Sequence, residues 1–210
     1  MNLKLRHFPA VALALLVSSC TTTSLQQTWK SPDIRGGPFK KMAVITVDER
    51  ALIRQTLEGQ VATQLEARAQ GALRVNELMT IAEMKESKVR AAERLRQAGA
   101  DAVLIQRLIS RVSEPGRAGK AGMTETPSFS SGTLGWFDYY CFVIPGPTML
   151  STDLAQDFYI ECNLFDLGSE KRVWSCMTRT KVKEDADWLE LIKPFATTVV
   201  QAMLKDGVIR

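Results

Sequence analysis

The sequence predicts an α/β domain, of the α+β type with a mixed sheet: about four to five strands, three main helices packed on the sheet, and one long aromatic, Gly/Pro-rich loop. Three observations carry that expectation. Residues 41–47, Lys-Met-Ala-Val-Ile-Thr-Val, form a short β-branched apolar run, the pattern of a strand covered on both faces. Apolar residues then recur at helical spacing in three separate stretches, and a pair of alternating segments near residues 158–182 reads as a hairpin.

Taken in order, Asp48 offers an N-cap after the first strand, and Ile53, Leu57, Val61 and Leu65 make one apolar stripe that Gly71 should stop. A brief strand fits residues 73–75. Thr80 and Glu83 have the spacing of a capping box, with Ile81 and Met84 inside it. From Ser87 to Ala98 a helix should turn Val89, Ala92 and Leu95 inward, leaving Lys88, Arg90, Glu93, Arg94 and Arg96 on a solvated face. Residues 102–112 begin as a buried strand and end in alternation, entered through Gly99-Ala100-Asp101.

The hairpin pairs residues 158–166 with 173–182, around a turn near Gly168 and Ser169. Phe158, Ile160, Cys162 and Leu164 share one face by the two-residue period, and Trp174, Cys176 and Val182 can share the facing one. Asp187 should cap a last helix whose stripe is Trp188, Ile192, Phe195, Val199 and Met203, bent near Pro194 and stopped by Gly207. Strand, helix, weak strand, helix, strand, hairpin, helix is an order that argues against a doubly wound sheet.

The N-terminus is a targeting element. Lys4 and Arg6 precede an apolar run over residues 10–17, then Ser18, Ser19 and Cys20. A charged start, a short apolar core and small residues at a cleavage point make a secretory signal, and the run is too short to span ~30 Å of hydrocarbon. Val17-Ser18-Ser19-Cys20 resembles the bacterial lipobox. That resemblance implies cleavage between Ser19 and Cys20, acyl chains on Cys20 and, because Thr21 rather than Asp follows, an outer-membrane address facing the periplasm. The domain boundaries that follow are 1–19 for the signal, 20–38 for an acylated N-terminus and flexible tether, and 39–210 for a single domain with an insertion at about 114–150. Trp29, inside the tether, reads as a lid on the domain edge.

Several function classes are excluded or disfavoured. The net charge of +4 falls to +2 once Lys4 and Arg6 are removed, which leaves no electrostatic footprint for nucleic acid. The one histidine, His7, lies in the leader, so the mature chain lacks His-based triads and His-ligated metal sites. Residues 114–121 fail the phosphate-loop pattern, and no cofactor or metal is expected. Asp48, Glu49 and Asp101 sit at strand ends, where open α/β sheets bind ligands, but they serve as caps and turn formers just as well.

Three cysteines remain after Cys20, in a compartment that oxidises thiols. If Phe165 faces Val173, Cys162 lies opposite Cys176, near enough for a disulfide; the other reading is a pair of small buried core residues, with Cys141 the odd thiol. The insertion gathers Trp136, Phe137, Tyr139, Tyr140 and Phe142 before Pro145-Gly146-Pro147. These aromatics either reach a membrane interface or a partner, or fold back over the sheet as core.

The Leu164-Phe165-Asp166 and Arg172-Val173-Trp174-Ser175 hairpin, the Gly99-Ala100-Asp101-Ala102 entry and the Gly207-Val208-Ile209 ending are similar to a group of envelope lipoproteins. That group shares a small α/β domain with the TolB N-terminal domain, the curli secretion subunit and the lipoprotein activators of penicillin-binding proteins. The leading functional expectation is a non-enzymatic accessory lipoprotein, anchored through acyl chains and binding a protein partner through an exposed strand edge or the aromatic loop. Its alternative is a subunit of an oligomeric outer-membrane secretion or channel assembly, for which only residues 136–144 approach the ~9 to 11 alternating residues of a lipid-facing strand. A hydrolase using carboxylates comes third.

Overall fold

The computed structural model describes residues 22–32, 34, 39–112, 134–143, 157–181 and 188–210. Its centre is β2 (Lys41–Val47) and β4 (Ala102–Val112), which run parallel because α1 (Ala51–Glu66) and three further short helices carry the chain back between them. β3 (Gly71–Arg74) adds in parallel to β2, while β5 (Asp157–Asp166) and β6 (Arg172–Lys181) form the antiparallel hairpin beside β4. The sixth strand, β1 (Thr22–Lys30), closes the order β1-β6-β5-β4-β2-β3.

The sheet thus has six strands, against the four to five expected, and the addition is β1, in the segment expected to be a tether. Thr, Ser and Gln in this stretch give no hydrophobic period, so nothing local announces a strand. Antiparallel pairing with β6, from Thr22 opposite Lys181 to Lys30 opposite Trp174, supplies the main-chain partners instead. Trp29 is held half-buried at that edge beneath the Arg172 guanidinium, 5.2 Å from its ring, as a lid would be.

Helices cover both faces. On one, α1 and α6 (Trp188–Lys205) pack Val61, Leu65, Phe195 and Val199 against Met42, Val44, Leu104, Leu164 and Trp174. On the other, α2 (Val75–Leu78), α3 (Ile81–Glu86), α4 (Lys88–Gln97) and α5 (Trp136–Val143) bring Met84, Leu95 and Trp136 onto Ala43, Ile45, Val103, Ile105 and Phe165. The continuous apolar run of β2 is accounted for by these two covers. Among the described residues, no helix is long and apolar enough to cross a membrane.

Local signals hold unevenly. Thr80 and Glu83 form the reciprocal capping box at the start of α3, and Ser87 caps α4. Asp48 does not cap α1: Arg50 is the N-cap residue, and Asp48 instead accepts from the Arg50 main-chain N–H (2.9 Å) and pairs with its guanidinium. Gly71 does not end α1, which stops at Glu66, but opens β3 with its N–H on the Lys40 carbonyl. Val89, expected inward, is 64% exposed, and Ala91 takes its place beside Ala92 and Leu95. Asp187 and Val182 lie outside the described residues.

Candidate functional site

One end of the sheet concentrates the unusual chemistry. β2 and β4 finish there, β5 begins, β6 finishes, and the first turns of α1 and α6 flank it. Because Thr46 and Gln106 are register partners on adjacent parallel strands, their side chains fall side by side beneath α1. Both are buried, Gln106 completely, yet neither the Gln106 amide nitrogen and oxygen nor the Thr46 hydroxyl has a hydrogen-bond partner. They line a narrow bay with Asp48, Arg50, Ile53, Leu57, Arg107, Leu108 and Ile160. Buried polar groups without partners are costly, and this bay gathers three such atoms.

Leu57 and Ile160 also form a wall of a second, narrow apolar crevice, completed by Phe158, Thr180, Leu191, Ile192 and Phe195. It lies between the first turns of α1 and α6. Thr180 supplies its polar rim, through a hydroxyl contact with Thr23 on β1 (2.9 Å).

The opposite face of the sheet carries a buried polar chain. The two-residue period sends Glu161 and Asn163 of β5 and Ser175 of β6 away from the cysteine face. Glu161 Oε2 accepts from Arg107 Nε (2.6 Å) and from the Tyr139 hydroxyl (2.7 Å). Asn163 Nδ2 donates to the same hydroxyl (2.8 Å), and its Oδ1 accepts from Ser175 (2.5 Å). Burial, followed by the charge of Glu161, drives the Tyr139 phenol far above its ordinary value, so it stays a donor. The chain fixes α5 on the sheet through one phenol.

Glu58 is the second buried carboxylate, 1% exposed. β3 pairs with β2 only as far as Val44, opposite Arg74, and beyond that point Glu58 Oε1 accepts the Thr46 N–H (2.9 Å). Oε2 accepts the Asn76 N–H in the first turn of α2 (2.7 Å). Burial outweighs these two donors and pushes the carboxyl up to about 7. Glu58 and Glu161 are both committed to structural partners, one under α1 and the other beneath α5, which keeps them from forming the paired carboxylates of an acid-base site.

The cysteines are placed as the hairpin reading required. Cys162 and Cys176 are register partners, both buried on the α1/α6 face and both free thiols, with burial holding Cys162 well above the usual thiol range. The register differs locally, since Phe165 faces Arg172 rather than Val173 across an irregularity at Leu164 and Phe165. Cys141 is exposed on α5.

For the aromatic insertion the fold-back alternative is the one realised. Residues 136–143 are helical, not an alternating strand, and Trp136, Tyr139 and Tyr140 are buried as core, so they offer no membrane or partner surface. Phe137 packs half-buried at the edge of the same cluster, its ring edge-on to Trp136 at 5.5 Å. The Phe142 side chain, Ser19 and Cys20 lie outside the described residues, as does most of the insertion at 114–150. Glu58, Gln106, Arg107 and Glu161 were not singled out by sequence. For Glu161 the available signal was the polar residue at every second position inside β5, which alternation normally assigns to solvent.

No protein-family model and no curated protein sequence matches the chain. Among solved structures it is similar to the PelC dodecamer from Paraburkholderia phytofirmans, at 13% identity and a TM-score of 0.45, covering 90% of this chain and 99% of that one. It is similar to the lipoprotein GNA1162 from Neisseria meningitidis at 12% identity and a TM-score of 0.40, covering 79% and 98%. A PDZ domain protein from Parabacteroides distasonis is similar at 14% identity and a TM-score of 0.43, covering 88% of this chain and 37% of that one. Likenesses this distant decide no function; the chain's own residues must do so.

Proposed function

We propose that this chain is a lipid-anchored bacterial envelope lipoprotein, set on the periplasmic side of the outer membrane and acting as a non-enzymatic accessory protein for an envelope complex. The observation that carries the reading is the start of β1 at Thr22, two residues after the lipobox cysteine. An acylated Cys20 would therefore tie the sheet itself to the bilayer, with no slack between anchor and domain. The sheet end where β1 begins, beside the ends of β4 and β6, then faces the membrane, and the turn between β5 and β6 points away from it.

That geometry holds one sheet edge at a fixed orientation. Among the described residues β1 pairs only with β6, so its outer main-chain groups are available to a partner strand. The irregularity between Leu25 and Gln27 divides the edge into two short segments, which discourages unselective pairing. The same edge supports a second reading, in which another copy of the chain supplies the strand and the protein is a subunit of an oligomeric secretion or channel assembly. The resemblance to the TolB, curli and penicillin-binding-protein-activator group agrees with either.

The decisive experiment is mass spectrometry of the mature N-terminus with fractionation of Cys20→Ala. Acyl mass on Cys20 and release of the variant from membranes are the expected results; an uncut leader or an unmodified cysteine refutes the reading. Crosslinking through β1, followed by native mass measurement in detergent, separates a foreign partner from a second copy.

A further inference from the structure

We propose that Glu58 is a pH-operated latch: protonated, it holds α2 against β2 and α1, and on giving its proton to solvent it lets go of α2 and pairs with Arg54 on its own helix. The inference concerns the domain itself and does not depend on how the chain is anchored.

Three elements meet at this carboxyl. From α1, its Oε1 accepts the Thr46 N–H of β2 (2.9 Å) and its Oε2 accepts the Asn76 N–H of α2 (2.7 Å). The junction lies at the sheet edge, just beyond the last β3 pair, Val44 with Arg74. α2 is a helix of four residues with no side-chain cap of its own. One carboxyl therefore fastens its first turn to the sheet.

The surroundings suit a protonated group. Thr46 Oγ1 and Asn76 Oδ1 belong to the same two residues, and both are buried without a hydrogen-bond partner. A carboxylate only accepts and so offers an amide oxygen nothing, whereas a carboxylic acid brings one O–H to this pair. Burial favours the same form, raising the carboxyl to about 7 against its two N–H donors.

The charges around it define the other state. Arg54, one turn earlier on α1, opposes the shift, and its Nε is buried without a hydrogen-bond partner. Glu77 of α2 favours the proton. The Tyr140 phenol of α5 is kept neutral by its own burial, and Arg74 of the adjoining β3 is held by Glu66 at 3.0 Å. An ionised Glu58 is thus repelled from α2 and drawn to Arg54, four residues before it on the same helix. Release of α2 frees Val75, 1% exposed in the closed state, from the second core.

The sign follows from the raised value. Latching is complete below about pH 4.5 and weakens as pH rises to about 7, above which Glu58 is ionised in both states. Over those roughly 2.5 units the open fraction grows about 300-fold, of which about 70-fold falls between pH 5 and pH 8.

The test is amide hydrogen exchange in the full chain in detergent, followed residue by residue by NMR at pH 5 and pH 8, with and without low urea. Rates are divided by their intrinsic values at each pH. Protection of the Thr46 and Asn76 amides should fall roughly 70-fold and be insensitive to low urea, as a small opening is, while the Leu104 and Leu164 amides should exchange only through urea-sensitive global opening. Glu58→Gln should abolish the pH dependence at the first two amides. Arg54→Met, which keeps the carboxyl and removes the cation opposing its shift, should carry the fall to higher pH. If Glu58→Gln does not fold, the wild-type and Arg54→Met profiles decide. Urea sensitivity at Thr46 and Asn76 equal to that of the core strands overturns the proposal, because opening would then be global, and so does protection at these amides that is the same at both pH values.

Discussion

Glu58 makes stability fall as pH rises through neutrality, and replacing it by glutamine removes that slope. The carboxyl accepts two main-chain N–H groups inside the core, yet burial raises it from 4.5 to about 7. A raised value means that the folded state keeps a proton the unfolded chain has lost. Its contribution is therefore complete below about pH 4.5 and is lost as pH climbs through about 7. The difference of about 2.5 pH units corresponds to about 3 kcal/mol at 1.36 kcal/mol per unit. Nearby Arg54 opposes the shift and Glu77 adds to it, and both remain in a Glu58→Gln variant. Glutamine keeps one acceptor and turns a donor toward the second N–H, at a cost of about 1 to 3 kcal/mol. Urea unfolding of both proteins from pH 5 to 8, followed by tryptophan fluorescence, should show the variant less stable at pH 5 and the gap closing or reversing by pH 8. Parallel pH profiles would refute the reasoning, since they would mean that Glu58 does not titrate in this window.

Three further outcomes are expected. Trp136→Ala should lower stability by about 3 to 5 kcal/mol, while Trp136→Phe, which removes a buried indole N–H that has no partner, should cost far less; a harmless alanine would return the residue to an exposed contact role. Gln106→Leu should raise the denaturation midpoint by an amount equivalent to about 1 to 3 kcal/mol, because it removes an unpartnered buried amide, and a lower midpoint would reveal that the amide is occupied in solution. Non-reducing peptide mapping of protein recovered from an oxidising compartment should link Cys162 to Cys176 and leave Cys141 free, and a bridge between Cys141 and either of the others would refute that pairing.

The elements with strong local periodicity were legible in advance. β2, β4, the β5–β6 hairpin, α1 and α6 lie where their apolar spacing puts them, and the Thr80–Glu83 box works as its residues suggest. Edges and faces were less legible. Val89 has the right spacing for the buried stripe of α4, but the helix is rotated so that the small Ala91 meets the sheet, allowing a closer approach. The cysteines were brought together by strand register, which a hairpin turn largely fixes. The Glu161 chain was hidden because alternation alone cannot tell a solvated polar position from one buried under a helix, and α5 comes from a distant part of the sequence.

By itself the sequence determined the α/β class, the core strands and the opposition of Cys162 and Cys176. These depend on spacing within a few residues, where side-chain period and cap chemistry act directly. Only the tertiary structure decided that Thr22–Lys30 is a strand, that Trp136, Tyr139 and Tyr140 are core, and that Gln106 and Glu58 are buried. The physical reason is the same in each case. A polar segment becomes a strand only if a neighbour's main chain stands open beside it, and a polar side chain is buried only if another element closes over it, so neither outcome is contained in the residues that undergo it.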